Sequence, residues 1–418
     1  MWKDVRVIDC IPGSGKTTFI LDEIANRYRS NKSGVSLLPA IIVTPFLSEV
    51  KRMKVYLKSK GLTAYEPIIK STGKKLDNFK KLVSESKIII TTHSMIDCLD
   101  SEALDMLRAG NYSLYLDEVH DIIEKLKISP KDYKMILEQK LIATDENKLI
   151  SWIDTEYKGK FTDIKNLADL GALYKYDDTV YVYCFPKRFF ESMISVTICC
   201  YMFEGQLMSS YFKVYNIPYC RKTLVTHYDS SLERTYNELV DWTIDLQQKD
   251  IDRIRPLINL YEGNLNYTKG ITLSATYLEK AGRKGVLKVV KNNTLNWFNN
   301  IIKGKSEQNL WCTLKSVKSQ LSGKGYTKGF APVSIRSTNE YINKVNVAYI
   351  YNRYLNPIEK NFFVLQGIEV NEDLFSVSEL IQFIWRSQIR VGKPINLYLP
   401  SERMRNLFKE YLGKNGEF

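Results

Sequence analysis

Lys16 and Thr17 follow a Gly13-Ser14-Gly15 turn, and Asp117 and Glu118 stand together where a short apolar run ends. A lysine, a hydroxyl and two carboxylates are what the hydrolysis of a nucleoside triphosphate asks for. Backbone N–H groups of a glycine-rich turn and the helix N-terminus behind it can cradle phosphates. Lys16 would then supply the cation for the β- and γ-phosphates, and Thr17 a hydroxyl for Mg2+. Thr18 continues the turn into the helix, so Gly13, Ser14, Gly15, Lys16, Thr17 and Thr18 are the expected nucleotide-binding positions. Asp117 is the expected second Mg2+ ligand, and Glu118 the residue that orients or deprotonates the attacking water. The expected cofactors are ATP and Mg2+.

These residues need a strand and a helix to hold them. The apolar run VRVIDCIP leads into the turn, and TTFILDEIANRY leaves it with Ile20, Leu21, Ile24 and Ala25 at the spacing of a buried helix face. Cys10 stands where the pattern GxxxxGK[ST] has its first glycine; that position serves a tight turn, and a small residue is tolerable there. A second run, YSLYL, ends in DEVH. A surface Asp-Glu pair at a helix start is the alternative reading. The strand before it and the phosphate turn upstream weigh against that.

The order of further segments resembles superfamily 2 helicases of the DEAD/DExH type, with DEVH as the second motif. PAIIVTPF is similar to the motif whose Thr44 and Pro45 would face a nucleic-acid backbone, and KIIITTHSM to the next one, with Thr91, Thr92, His93 and Ser94 at a strand end. APVSIRSTNEY resembles a later motif that places Thr338 and Asn339 after a strand; the resemblance makes Thr92, His93, Ser94, Thr338 and Asn339 further expected nucleic-acid contacts. ELIQFIWRSQIRVGK resembles the motif that supplies an arginine finger. Its Gln382, Arg386 and Arg390 recur every four residues rather than in the family's QxxGRxxR arrangement, a spacing that puts all three on one helix face. Gln382 would touch nucleotide, Arg386 sense the γ-phosphate and Arg390 stabilise the transition state, with the last two interchangeable. Two segments compete for the coupling motif: TLSATY, which contains SAT at Ser274–Thr276, and ISVTICCYMFEGQ. The second is preferred because a strand ending near Tyr201 could join the first sheet. His93 and His120 are expected to link hydrolysis to the nucleic-acid site.

The resemblance implies an α/β chain of two RecA-like, doubly wound parallel-sheet domains facing a nucleotide cleft. The first is expected over 1–214, with strands at Val5–Asp9, Ile41–Thr44, Ile88–Thr91 and Leu114–Leu116, and with Ile194–Phe203 returning to the same sheet. Residues 125–193 read as a helical or irregular insertion. The second domain is expected over 215–418, with strands at Phe330–Ile335, Val345–Ile350 and Ile395–Leu399 and an insertion over 225–310.

The net charge of +13 points to a polyanionic partner. Between Lys303 and Lys328 there are six lysines and one glutamate, with Lys324 and Lys328 in the loop GKGYTKG as the expected nucleic-acid contacts. Trp311 could stack bases, although a tryptophan in such a run is more often core. The 7 cysteines include no CxxC pair, so a zinc or disulfide framework is not expected. No apolar run is long enough for a membrane span, and the start of the chain reads as a strand rather than a signal peptide. A cytoplasmic protein is therefore expected. No adenine-reading motif is evident in the three residues ahead of the first strand.

The C-terminal third is also similar to helicase-type proteins of bacteriophages. The expected function is thus an ATP-dependent helicase or translocase in an infected bacterial cytoplasm, acting on single-stranded, forked or branched DNA with replication or recombination proteins. A viral DNA-packaging ATPase of the terminase type and a nucleic-acid-binding ATPase switch without unwinding remain the alternatives.

Overall fold

A computed structural model of the chain describes residues 4–30, 39–69, 74–177, 180–231, 233–266, 271–280, 284–333 and 340–413. It is an α/β protein of two compact units: Met1–Asp9 with Gly15–Asp241 and Asn356–Val370, and Cys10–Ser14 with Trp242–Leu355 and Asn371–Phe418.

The first unit is built on strands β1 (Asp4–Asp9), β2 (Ala40–Thr44), β3 (Ala64–Tyr65), β4 (Ile88–Thr92) and β5 (Ser113–Asp117). After an inserted region come β11 (Ser195–Cys200), β12 (Cys220–Asp229) and β13 (Arg234–Asp241). They form one sheet in the order β13-β12-β1-β11-β5-β2-β4-β3. Every pairing is parallel except β12 with β13. Parallel strands are covered on both faces, which is why β2, β4 and β5 read as continuous apolar runs and are buried along their whole length. β1, β2, β4 and β5 fall within a residue of the positions expected from sequence, β11 ends three residues before Phe203, and β3, β12 and β13 were not expected.

Helix α1 (Lys16–Ser30) packs on this sheet through Ile20, Leu21, Ile24 and Ala25, all buried as expected. A polar network pins it further along. Arg6 on β1 donates to Glu23 at 2.8 Å and to Thr197 on β11 at 3.0 Å, while Tyr115 on β5 donates to Glu23 at 3.0 Å. Arg27 donates to the Tyr115 hydroxyl at 2.8 Å. Helix α1 is thus fixed relative to three strands at once.

Two readings of this half need correction. The region 125–193 is not merely helical or irregular: it contributes to a three-stranded antiparallel sheet of β6 (Ile123–Lys125), β9 (Leu173–Lys175) and β10 (Tyr181–Cys184), and a hairpin of β7 (Ile142–Thr144) and β8 (Ile150–Trp152). These pack on their own core of Tyr133, Ile136, Trp152, Phe161 and Leu173. Strands this short carry too few residues for an alternating pattern to stand out. The unit also does not end at 214, because β12 hydrogen-bonds to β1 and carries β13 with it.

The first unit also recruits a segment from far along the chain. The helix Pro357–Leu365 inserts Phe362 and Phe363 into the core beneath the sheet, and Phe362 meets Tyr174 edge-on at 5.2 Å.

The second unit holds β14 (Ile258–Leu260), β15 (Asn309–Cys312), β16 (Asn346–Tyr349) and β17 (Ile395–Tyr398) in a parallel sheet ordered β14-β17-β16-β15. β14 lies inside the stretch read as an insertion. Of the strand expected at Phe330–Ile335, the described residues 330–333 show an isolated bridge between Phe330 and Trp311, and 334–339 lie outside the described residues. A ladder of asparagine amides crosses the sheet near the strand starts. Asn259 donates to Asn396 at 2.9 Å, Asn396 to Asn346 at 2.8 Å, Asn346 to Asn309 at 2.8 Å, and Asn309 to the Gly325 carbonyl at 2.9 Å.

Candidate nucleotide site

In an open parallel sheet, ligands bind at the carboxyl ends of the strands. In the first unit that edge carries Asp9, Thr44, Thr92, Asp117 and Cys200, which end β1, β2, β4, β5 and β11. Gly13 and Gly15 have φ of 89° and 85°, in the left-handed region where a side chain is strained. Ser14 donates its hydroxyl to the Ile11 carbonyl at 2.8 Å and to Cys10 Sγ at 3.0 Å. Cys10 is buried and closes the turn in place of glycine.

Thr17, in the first turn of α1, donates its hydroxyl to Asp117 Oδ1 at 2.8 Å. The two residues expected to share a cation are therefore together. Asp117 is buried, and its carboxyl is pushed up to about 6 by that burial and by Glu118 beside it, against the opposing effects of Thr17, Arg52 and Lys16. Two crowded carboxylates, one of them desolvated, make a place where a divalent cation would be held. No cluster of three or more His, Cys, Asp or Glu suited to a metal occurs among the described residues. Mg2+ at a phosphate loop needs none, since it keeps waters and takes phosphate oxygens beside one or two protein ligands.

Glu118 has a φ of 83°, and its N–H donates to the Cys199 carbonyl at 3.1 Å. Left-handed backbone in a non-glycine residue is uncommon and collects at functional sites. Beyond it, His120 Nε2 lies 2.7 Å from Asp97 Oδ1, and the His120 ring meets that of His93 edge-on at 4.9 Å. The DEVH and TTHS segments are thus in contact.

Other expected positions fall less simply. Thr44 is completely buried and Thr92 nearly so, which removes both side chains from the surface where nucleic-acid contact was expected. Pro45, His93 and Ser94 remain at least partly accessible on that edge. Lys324 and Lys328 are exposed, but Trp311 and Tyr326 between the lysines are fully buried, so they form no stacking platform. Thr338 and Asn339 lie outside the described residues.

The preferred coupling segment forms β11, between the phosphate-loop strand β1 and the acidic strand β5. Ser274 instead precedes a short helix of the second unit and accepts from the Tyr277 N–H at 3.3 Å. Gln382, Arg386 and Arg390 do not share one helix face. The helix Glu372–Ile384 ends at Trp385, and Arg390 sits in a separate 3-10 turn, Gln388–Val391, closed by Gly392 at φ 72°. The four-residue spacing crosses a helix end that a tally of periodicity cannot see. Arg386 is buried. Within the second unit, a Cβ placed on Gly13 would be 3.3 Å from Arg390 Cγ.

Sequence reasoning missed Asp9. Its carboxylate accepts from the N–H groups of Met202 and Phe203 at 2.7 and 2.8 Å, and Arg221 on β12 pairs with it at 2.6 Å. A charged residue ending an apolar strand directly ahead of the turn was the available signal.

Comparison with known proteins adds a family. The family described as the YonV C-terminal Rossmann-like domain matches residues 252–412, and the YonV middle domain matches 123–183. Over 421 residues the chain is 38% identical to the SPbeta prophage-derived uncharacterized protein YonV of Bacillus subtilis (strain 168), covering 98% of each. The chain belongs to the YonV family. The YonV middle domain coincides with the small sheet and hairpin inserted after β5, and the YonV C-terminal domain with the asparagine-laddered sheet. Among solved structures, S. tokodaii Xpd4 is similar with a TM-score of 0.44 and 11% identity, covering 98% of this chain and 94% of that one. Mss116p, solved bound to ssRNA and AMP-PNP, is similar with a TM-score of 0.38 and 12% identity, covering 99% of this chain and 70% of that one. Among the described residues no helix is long and apolar enough to cross a membrane.

Proposed function

We propose that this YonV-family chain is a Mg2+-dependent, nucleic-acid-stimulated ATPase working as a helicase or translocase, with DNA as its substrate. The observation that carries this reading is the 2.8 Å hydrogen bond from Thr17 to Asp117, with Glu118 next in the chain, at the carboxyl edge of a parallel sheet. When bound, Mg2+ would neutralise charge on the β- and γ-phosphates. Thr17 and Asp117 would hold it, and the backbone of the glycine turn would orient the phosphates. Lys16 contributes its ammonium to the γ-phosphate. Glu118 holds the attacking water and takes its proton on the carboxylate. Arg386 and Arg390 are the candidates for stabilising the transition-state charge.

The nucleic-acid side of the proposal rests on the net charge of +13 and on the exposed Lys324 and Lys328. The contact of His93 with His120 offers a physical link from the acidic motif to the neighbouring strand end. A prophage-derived relative supports action in an infected bacterial cytoplasm during phage replication or recombination. The test is ATPase activity on a panel of single-stranded, forked and branched DNA and single-stranded RNA, together with strand displacement on the fork. Stimulated hydrolysis lost in Lys16→Ala and accompanied by displacement supports the reading. Hydrolysis without displacement on any substrate would reduce it to an ATPase switch, and nuclease cleavage of plasmid would favour a packaging motor.

A further inference from the structure

Beside the phosphate loop, inside the first unit, lies a cavity of about 730 Å³. Its floor is one face of α1: Thr18, Asp22 and Asn26 recur every four residues along it. Thr18 directly follows the Mg2+-ligand candidate Thr17, so the cavity begins where the phosphates would end. At 1.5 Å per residue the face runs on for about 12 Å, room enough for a ribose and a base.

The opposite wall is the β12–β13 hairpin, which cannot swing freely because β12 is hydrogen-bonded to β1. Asn237 on β13 presents its amide to the phosphate turn: Nδ2 lies 2.9 Å from where a Cβ on Gly15 would be. Thr226 fixes that amide by donating to Asn237 Oδ1 at 2.8 Å. Next to it Tyr236 lines the cavity with 49% of its surface exposed and its ring stacked on His227, centroids 5.4 Å apart. An aromatic ring held in this way, outside any core, suits stacking on a π-face.

We propose that this cavity takes the base and ribose of a purine nucleoside triphosphate, the base stacked on Tyr236 and the ribose beside Asn26, while Asn237, on the other face of the hairpin, is turned to the phosphate turn. The volume is that of an ordinary small-molecule site. The lining mixes Asp22 with Arg234 and is not uniformly basic, which fits a neutral base and ribose better than a nucleic-acid backbone. The proposal rests on the reading of Gly15–Thr18 as a triphosphate site, and supplies the base recognition that no sequence motif announces.

The test is calorimetric binding of ATP, GTP, CTP and inorganic tripolyphosphate, each with Mg2+, to the full chain and to Tyr236→Ala, Tyr236→Phe and Lys16→Ala. Wild type is expected to prefer the purine nucleotides over CTP and over tripolyphosphate. Tyr236→Ala should weaken purine nucleotide binding about tenfold, the scale of one stacked base, and leave tripolyphosphate binding as it was; Tyr236→Phe should restore it. Unchanged ATP affinity in Tyr236→Ala, with binding lost in Lys16→Ala, overturns the base site and leaves the phosphate site standing. Failure of wild type to bind either ATP or tripolyphosphate removes the phosphate site and the base site with it. Loss of single-stranded oligonucleotide affinity in Tyr236→Ala, with ATP binding intact, would make the hairpin a nucleic-acid surface and overturn the proposal.

Discussion

Buried Asp9 and partly buried Arg221 form an ion pair that ties the end of the phosphate-loop strand to the strand beside it. The Asp9 side chain is 1% exposed, and its two oxygens also accept the Met202 and Phe203 N–H groups. It thereby joins β1, β12 and the turn that leaves β11, with Met202 in left-handed backbone at φ 55°. Asp9→Ala would take the carboxylate from the Arg221 guanidinium and leave two backbone donors unmet. Removing one partner of such a pair costs about 3–5 kcal/mol, a loss that urea denaturation should show. Asp9→Asn, which keeps an acceptor but loses the charge, should cost less; equal stability of Asp9→Ala and wild type would contradict the clamp.

Glu118 sits at φ 83° and is the expected general base. A left-handed residue costs roughly 1–2 kcal/mol relative to glycine. Glu118→Gly should therefore raise the melting temperature while abolishing turnover, a stability–activity trade. Glu118→Gln, keeping the strain, should bind ATP and fail to hydrolyse it. Substantial residual hydrolysis in Glu118→Gln would remove the base assignment.

The helix Pro357–Leu365 comes from the C-terminal half but belongs to the first core through Phe362 and Phe363, which are 3% and 0% exposed. Truncating a buried phenylalanine costs about 3–5 kcal/mol. Phe363→Ala should therefore increase hydrogen exchange in β5 and β11 and not only in its own helix. Exchange confined to 357–365 would show the helix to be a peripheral attachment.

Asn346 donates to Asn309 and accepts from Asn396, within a ladder at the starts of the second sheet's strands. Asn346→Ala leaves a buried acceptor and a donor unmet, at about 1–3 kcal/mol each. Asn346→Asp should destabilise at neutral pH as well, since a carboxylate cannot donate to Asn309. Both variants should leave nucleotide binding within error, because the ladder lies at the opposite ends of the strands from those where ligands bind in such sheets. Equilibrium denaturation and ATP titration together check this.

What could be read from the sequence was local or nearly so. VRVID–GSGKTT and YSLYL–DEVH each combine a strand with the residues it aims, and both lie where expected. ISVTICC was apolar enough to be taken for a strand of the first sheet, and it pairs with both β1 and β5. What failed depends on distant partners. Cys220–Asp241 looks like any polar hairpin until β12 is seen pairing with β1. Phe362 and Phe363 fit a second-domain helix equally well by pattern, and only packing assigns them to the first core. Spacing placed Gln382 and Arg390 on one helix because nothing in FIWRSQIR marks the stop after Ile384. The asparagine ladder was visible as one Asn near the start of each of four strands, but a shared register across four strands is not a property of any one of them.

Arg390 supports the sharpest functional prediction. It lies against Gly13, so Gly13→Ala would meet both a left-handed φ of 89° and Arg390 Cγ 3.3 Å from the new methyl. Arg390→Ala removes the guanidinium without disturbing the turn, and the loss of an arginine finger lowers turnover about 10³- to 10⁵-fold. ATP affinity should change far less, since the charge it stabilises develops only in the transition state. Arg390→Lys should not rescue turnover, because an ammonium lacks the planar two-pronged donor geometry. Arg386 is 5% exposed. Arg386→Ala should therefore lower stability first, and denaturation of each variant separates that from a catalytic loss. Near-normal single-turnover hydrolysis in Arg390→Ala, with a folded Arg386→Ala inactive, would move the finger to Arg386.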